Sequence, residues 1–152
     1  MNRKVNVFLG LGVALMAAVS IFVLFSYAFN DSQGLNFNGS SVFTAMMGDS
    51  SKNLNAVPWL IVAFSFEVAA FVTGLFGGIL RGKISSLVYG VTLILLVAAG
   101  VLFLNATKLY VAVNPYSGKD ALSLGTGCIC TVIFAFVGAL LSLYGAYSNW
   151  KA

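Results

Sequence analysis

The chain has 152 residues, of which 60 % are hydrophobic and 8 % charged, and it carries a net charge of +4. Soluble domains carry about 25 % charged and 45–50 % apolar residues, so this composition excludes an ordinary water-soluble globule. Histidine is missing altogether, which removes the commonest general base and metal ligand.

Four apolar stretches dominate, at residues 5–28, 58–80, 84–105 and 122–147. Each has the roughly 20 residues that a helix needs to cross a bilayer core of about 30 Å. A water-soluble bundle would show a polar face at helical spacing, and these stretches are apolar all round. The predicted fold is all-α: one integral membrane domain, an antiparallel up-down-up-down four-helix bundle, with a short structured outer loop between the first two spans.

The first stretch follows Asn2-Arg3-Lys4 and ends near Ser26-Tyr27-Ala28, which together look like the ends of a signal peptide. A signal core has roughly 7–15 apolar residues. This run is longer, so it is read as a membrane span. Gly10, Ala14 and Ala18 repeat along it at four-residue spacing.

The first outer loop covers residues 29–57. Leu35 and Phe37 alternate with Asn36 and Asn38, which predicts a short extended piece. Residues 40–48 predict a short helix, with Ser40 as N-cap and Gly48 as terminator. Phe43, Met46 and Met47 would share one face of it. With Phe37 they are the candidate outer-loop interaction residues, resting on the membrane surface or on the bundle top. Pro58 opens the second span, where a missing N–H is tolerated, and Trp59 beside it suits the interfacial aromatic belt.

The second span carries a stripe of small residues at spacings of three and four: Ala63, Ala70, Gly74, Gly77 and Gly78. In lipid, helices associate through close packing, so small residues mark interfaces. Glu67 lies on the same stripe, within about 3 Å of the span's midpoint at 1.5 Å per residue. A charge at that depth costs about 2.5–3.5 kcal/mol. No Lys or Arg lies at matching depth in the other spans. Counting inward from the span ends places Ser20, Thr131 and Thr92 near it. These hydroxyls can hydrogen-bond a carboxyl group but cannot neutralise it, so desolvation is expected to keep Glu67 protonated. Glu67, Ser20, Thr92 and Thr131 form the candidate intramembrane polar site: a polar clamp between helices, a proton or cation site, or a contact to a partner membrane protein.

Arg81 and Lys83 sit in a turn so short that the second and third spans must be antiparallel neighbours. The second outer loop covers residues 106–121, with a turn signal at Asn114-Pro115-Tyr116-Ser117-Gly118 and with Tyr110 and Tyr116 placed at the interface. The fourth span carries Ala135, Gly138, Ser142 and Gly145 on one side. Gly10, Ala14, Ala63, Ala70, Gly74, Gly78, Ala135 and Gly138 are the candidate helix-packing residues. Cys128 and Cys130 lie about 200° apart around the helix axis and cannot bridge each other; they read as packing residues.

Charge placement sets the orientation. Arg3, Lys4, Arg81, Lys83 and Lys151 flank one side of the spans in very short segments, whereas Lys52, Lys108 and Lys119 mix with Asp31, Asp49 and Asp120 on the other. Positive residues collect on the cytoplasmic side. Both termini are therefore expected in the cytoplasm, in the plasma membrane, with the basic residues near anionic headgroups. Such placement argues against nucleic acid as a partner. Asn38-Gly39-Ser40 and Asn105-Ala106-Thr107 match the glycosylation tripeptide, a weak signal.

The layout of long first loop, tight inner turn and shorter second loop resembles the tetraspan arrangement of claudins over the whole chain. The claudin Trp-Gly-Leu-Trp run and its two following cysteines are missing from residues 29–57, so this likeness is one of topology. Gly-Ser-Ser-Val-Phe at 39–43 and Ser-Leu-Gly-Thr-Gly at 123–127 resemble segments of small four-span membrane proteins of Gram-positive bacteria. That resemblance implies no particular activity.

The expected function is that of a non-enzymatic structural or accessory subunit that assembles with itself or with a larger membrane complex, with the bilayer as its constant partner and no cofactor or metal. The alternative is a small transporter or channel component using Glu67. A membrane-embedded enzyme would have to work without histidine, a carboxylate pair or a phosphate-binding loop.

Overall fold

The computed structural model describes residues 2–26, 28–31, 39–114 and 122–151. In chain order these are α1 (Arg3–Leu24), β1 (Phe29–Asp31), α2 (Ser41–Met47), a single 3₁₀ turn (Ser50–Lys52), α3 (Pro58–Ile79), α4 (Gly82–Leu104), α5 (Ala106–Val113), β2 (Leu122–Leu124) and α6 (Thr126–Lys151). Four of the helices, α1, α3, α4 and α6, are long and apolar enough to cross a membrane. They pack as an all-α ring in the order α1–α3–α4–α6, and α6 closes back on α1. The chain is thus a four-span membrane bundle. Its outward surface carries Phe8, Phe22, Ile94 and Leu140, each at least 66 % exposed, which suits hydrocarbon and not water.

Inside, the apolar side chains form two clusters. The upper one, at the loop-bearing end, contains Leu60, Ala63, Ala99, Phe103 and Cys128. The lower one, toward the termini, contains Val13, Ala17, Ala70, Tyr89, Leu96 and Ala139. The closest helix approach joins α1 to α3. A Cβ added to Gly10 would lie 2.5 Å from the Gly78 Cα and 2.8 Å from the Gly74 carbonyl oxygen. The glycines are required there because two backbones touch. On α4, Tyr89 lies against both Gly77 and Gly145, where an added Cβ would come within 3.0 and 2.9 Å of its ring.

The loop-bearing end is more ordered than a pair of loops. Strand β1 pairs antiparallel with β2, Phe29 opposite Leu124 and Asp31 opposite Leu122. Gly125 N–H adds a bond to the Ala28 carbonyl at 2.9 Å. Helix α2 ends at Gly48, whose φ of 80° lies in the left-handed region that favours glycine. An added Cβ there would also come within 2.6 Å of the Leu54 carbonyl oxygen. Asn55 and Asn114 clasp the two connecting segments: Asn55 N–H donates to Asn114 Oδ1 at 2.7 Å, and Asn114 Nδ2 donates back to the Asn55 carbonyl at 3.0 Å.

Several sequence expectations need correction. The first span stops at Leu24 and not at 28, because the chain turns at Phe25 toward β1. The fourth begins at Thr126 and not at 122, because residues 122–124 are spent on the strand, and it continues to Lys151 instead of ending at 147. The second outer loop starts with α5, so residues 106–113 are helical. Tyr110 is fully buried and not interfacial. Ser40 precedes α2, but its side chain makes no capping bond. The Leu35–Asn38 alternation and the turn at Pro115–Gly118 lie outside the described residues.

The Gly10 contact gives a direct test. Gly10→Ala should lower stability by about 1–3 kcal/mol through overpacking, read as an earlier thermal unfolding midpoint in mild detergent. Gly90→Ala, where an added Cβ meets nothing within 4 Å, should be neutral or stabilising, since alanine is the better helix former by about 1 kcal/mol.

Candidate functional site

Glu67 sits on α3 one turn below Ala63 of the upper cluster and about one turn above Ala70 of the lower one. It therefore occupies the waist of the bundle, and it is 1 % exposed. The stripe logic explains this placement: its neighbours at helical spacing are small, so α3 turns that face inward and takes Glu67 with it. Neither carboxyl oxygen has a hydrogen-bond partner among the described residues.

The three hydroxyl residues expected around Glu67 divide two against one. Ser20 on α1 lies beside the carboxyl group, but its Oγ donates to the Thr131 carbonyl at 3.1 Å. Thr131 on α6 donates in return, its Oγ1 lying 2.9 Å from both the Ser20 and the Gly127 carbonyl oxygens. The pair staples α1 to α6 beside the carboxyl group. Thr92 is engaged elsewhere, 2.8 Å from Thr73 Oγ1 and 2.9 Å from the Val88 carbonyl oxygen. The tie between α1 and α6 is made by Ser20 and Thr131, and Ser20 brings it against Glu67.

A second polar centre, at the lower end, was not among the candidates. Asn6 on α1 points its Nδ2 at the carbonyl oxygens of Gly77, Gly78 and Leu80, at 3.0, 3.1 and 2.9 Å. These are carbonyls at the end of α3, which lack partners further along the helix. Ser85 on α4 donates to the Gly77 carbonyl at 2.6 Å, and Tyr89 donates to the Asn6 carbonyl at 3.1 Å. Asn149 on α6 completes the set by donating to Asn6 Oδ1 at 2.9 Å. All four spans meet in this network. The sequence does carry a signal for it, because Asn6 and Asn149 stand four residues beyond Gly10 and Gly145 and so extend the small-residue stripes.

The helix-packing candidates Gly10, Ala14, Ala63, Ala70, Gly74, Gly78, Ala135 and Gly138 are all buried inside this single chain. The outer-loop candidates separate. Met46 is a core residue at 3 % exposure, whereas Phe43 and Met47 are exposed, so the three do not present one common face. The Phe43 ring still packs on Phe25 and Phe64, with centroids 5.0 and 5.9 Å away. Phe37 lies outside the described residues. Cys128 is buried and donates its Sγ–H to the Phe103 carbonyl at 3.3 Å, and Cys130 is half-buried; neither is bridged.

One further feature faces outward. A shallow depression of about 450 Å³ lies on the outer face of α3 along Ser65, Val68, Ala69, Val72 and Thr73. Above it, sharing Phe64 and Ser65, a smaller hollow of about 200 Å³ is roofed by Phe43, Met46 and Met47 of α2. The Ser65 hydroxyl folds back onto the Ile61 carbonyl at 2.8 Å, so the depression shows no unsatisfied hydroxyl there.

Comparison with protein-family models, with curated proteins and with solved structures returned no match. The likeness to four-span membrane proteins therefore extends to topology alone.

Replacing Asn6 by alanine should cost about 1–3 kcal/mol, because buried acceptors at the end of α3 lose their donor. A double-mutant cycle of Asn6→Ala with Asn149→Ala, followed by thermal unfolding, should give a coupling of at least about 0.5 kcal/mol. Additive losses would mean that the two side chains act independently.

Proposed function

We propose that the protein is a non-enzymatic accessory subunit of the plasma membrane, which docks laterally against a transmembrane helix of a second copy or of another membrane protein. The observation that carries this reading is the depression on α3 together with its roof from α2. The small-residue stripes are consumed within the chain, so they leave no free face for a partner. The α3 depression remains, and Ala69 at its centre permits close approach, as small residues do at membrane helix interfaces.

The exposed basic residues support an orientation. Arg3, Lys4, Arg81, Lys83 and Lys151 all lie at the lower end. Lys83 reaches over the Trp150 ring at 5.7 Å, and Lys151 over the Tyr147 ring at 4.4 Å, anchoring the charged rim to aromatic residues at helix ends. By the positive-inside rule the lower end with both termini is cytoplasmic. The α2 roof then belongs to the outer face.

Docking is tested by cysteine cross-linking in native membranes, with Cys128 and Cys130 first replaced by alanine. Val68→Cys and Val72→Cys should give a discrete adduct with a bifunctional maleimide. Leu140→Cys on the lipid face of α6 should give none. An adduct of doubled mass would identify a second copy, and a different discrete mass would identify a partner; equal background at all three positions would sink the proposal. For orientation, Ser51→Cys should react with a membrane-impermeant maleimide in intact cells, and Asn2→Cys only after lysis.

A further inference from the structure

We propose that the corner where the start of α4 meets the end of α6 binds one anionic phospholipid. This is independent of lateral docking, which uses the outer face of α3.

Both helices build the corner. They are neighbours in the ring, and Ser86 on α4 donates to the Ala146 carbonyl on α6 at 2.6 Å. That bond fixes the two helix ends against each other. About one turn further out, Lys83 of α4 reaches across to α6, its Nζ 5.7 Å from the centre of the Trp150 ring. Lys151 stands 4.4 Å from the centre of the Tyr147 ring. A cation over an aromatic face is held in place and keeps its charge. Both rings are themselves exposed, as are Ile84 and Leu87 of α4, each at 63 %. Inward from the lower end the corner therefore offers ammonium groups, then aromatic rings, then aliphatic side chains. A phospholipid lying alongside presents its headgroup, its glycerol region and its acyl chains in the same order, and aromatic residues settle at the middle level.

Charge selects the headgroup. Arg3, Lys4 and Arg81 lie at the same end of the bundle. Among the described residues no acidic side chain does: Asp31 and Asp49 belong to the loop-bearing end and Glu67 to the waist. A zwitterionic headgroup brings its own positive group toward the lysines. An anionic one brings net negative charge, which basic residues at the membrane surface attract. An acidic segment of a soluble protein fits less well, because it would meet the lysines and leave Ile84 and Leu87 uncovered.

The test exploits the two tryptophans of the chain. Trp59→Phe leaves Trp150, at the corner, as the sole indole. The full chain is placed in phosphatidylcholine vesicles holding a minor fraction of either phosphatidylglycerol or phosphatidylcholine brominated on its acyl chains, and quenching of Trp150 fluorescence is read. The relative binding constant for the anionic quencher should be at least about fivefold higher, the attraction of a single lysine. Lys83→Gln with Lys151→Gln should bring the two quenchers level. Arg3→Gln with Lys4→Gln, an equal loss of charge at the same end but on α1, should leave the preference in place. Equal quenching before any lysine is changed would overturn the proposal. So would equal losses in the two double variants, which would mean a diffuse attraction to the whole rim. Inorganic phosphate at matched ionic strength should leave the preference intact; its loss would mean that the corner takes a free anion, and the lipid would be ruled out.

Discussion

Hydrocarbon supplies no hydrophobic force to press one apolar helix against another, so this bundle depends on how closely its backbones can approach. The contact of Gly10 with Gly74 and Gly78 is the tightest case. It brings α1 near enough to the end of α3 for Asn6 to reach three carbonyls there. A larger residue at position 10 would move α1 outward and take that amide out of range. Tyr89 fills the notch between Gly77 and Gly145 for the same reason, and its hydroxyl then meets the Asn6 carbonyl. Small residues and polar bonds are thus one device: the first permits the distance and the second uses it.

Polar groups within the bundle mark three levels. Asn6, Ser85, Tyr89 and Asn149 tie the lower end, Ser20 and Thr131 tie α1 to α6 nearer the upper end, and the Asn55–Asn114 clasp with the β1–β2 ribbon closes the top. Bonds of this kind follow from a medium that offers no water to an unsatisfied donor. Glu67 departs from the pattern because its oxygens stay outside every one of these bonds.

Much of the architecture was legible in the sequence because its signals are long. Four apolar runs exceed a bilayer's thickness, and the Ala63–Gly78 stripe repeats often enough to fix the inward face of α3 and to place Glu67 on it. The failures are all short-range or relational. Three-residue strands have no periodicity to detect, so the sequence places β2 within the fourth span and β1 within the first outer loop. Depth counting put Thr92 near Glu67, but depth says nothing of azimuth, and Thr92 turns to Thr73 instead. The same counting named Ser20, whose side chain meets the Glu67 carboxyl group, and Thr131, which bonds Ser20. Asn6 and Asn149 are 143 positions apart, and only the folded ring shows that they meet.

That meeting has a consequence for biosynthesis. The Asn6–Asn149 bond joins residues 143 positions apart, and the Ser20–Thr131 bonds join residues 111 apart. Helix α1 leaves the ribosome before α6, so the Asn149 partner of Asn6 and the Thr131 partner of Ser20 are missing until α6 arrives. Until then α1 can lean on α3 through Gly10, with its α6-facing side open to lipid. Arrival of α6 is therefore what closes the ring, and until it arrives the Ser20 hydroxyl on α1 lacks its Thr131 partners.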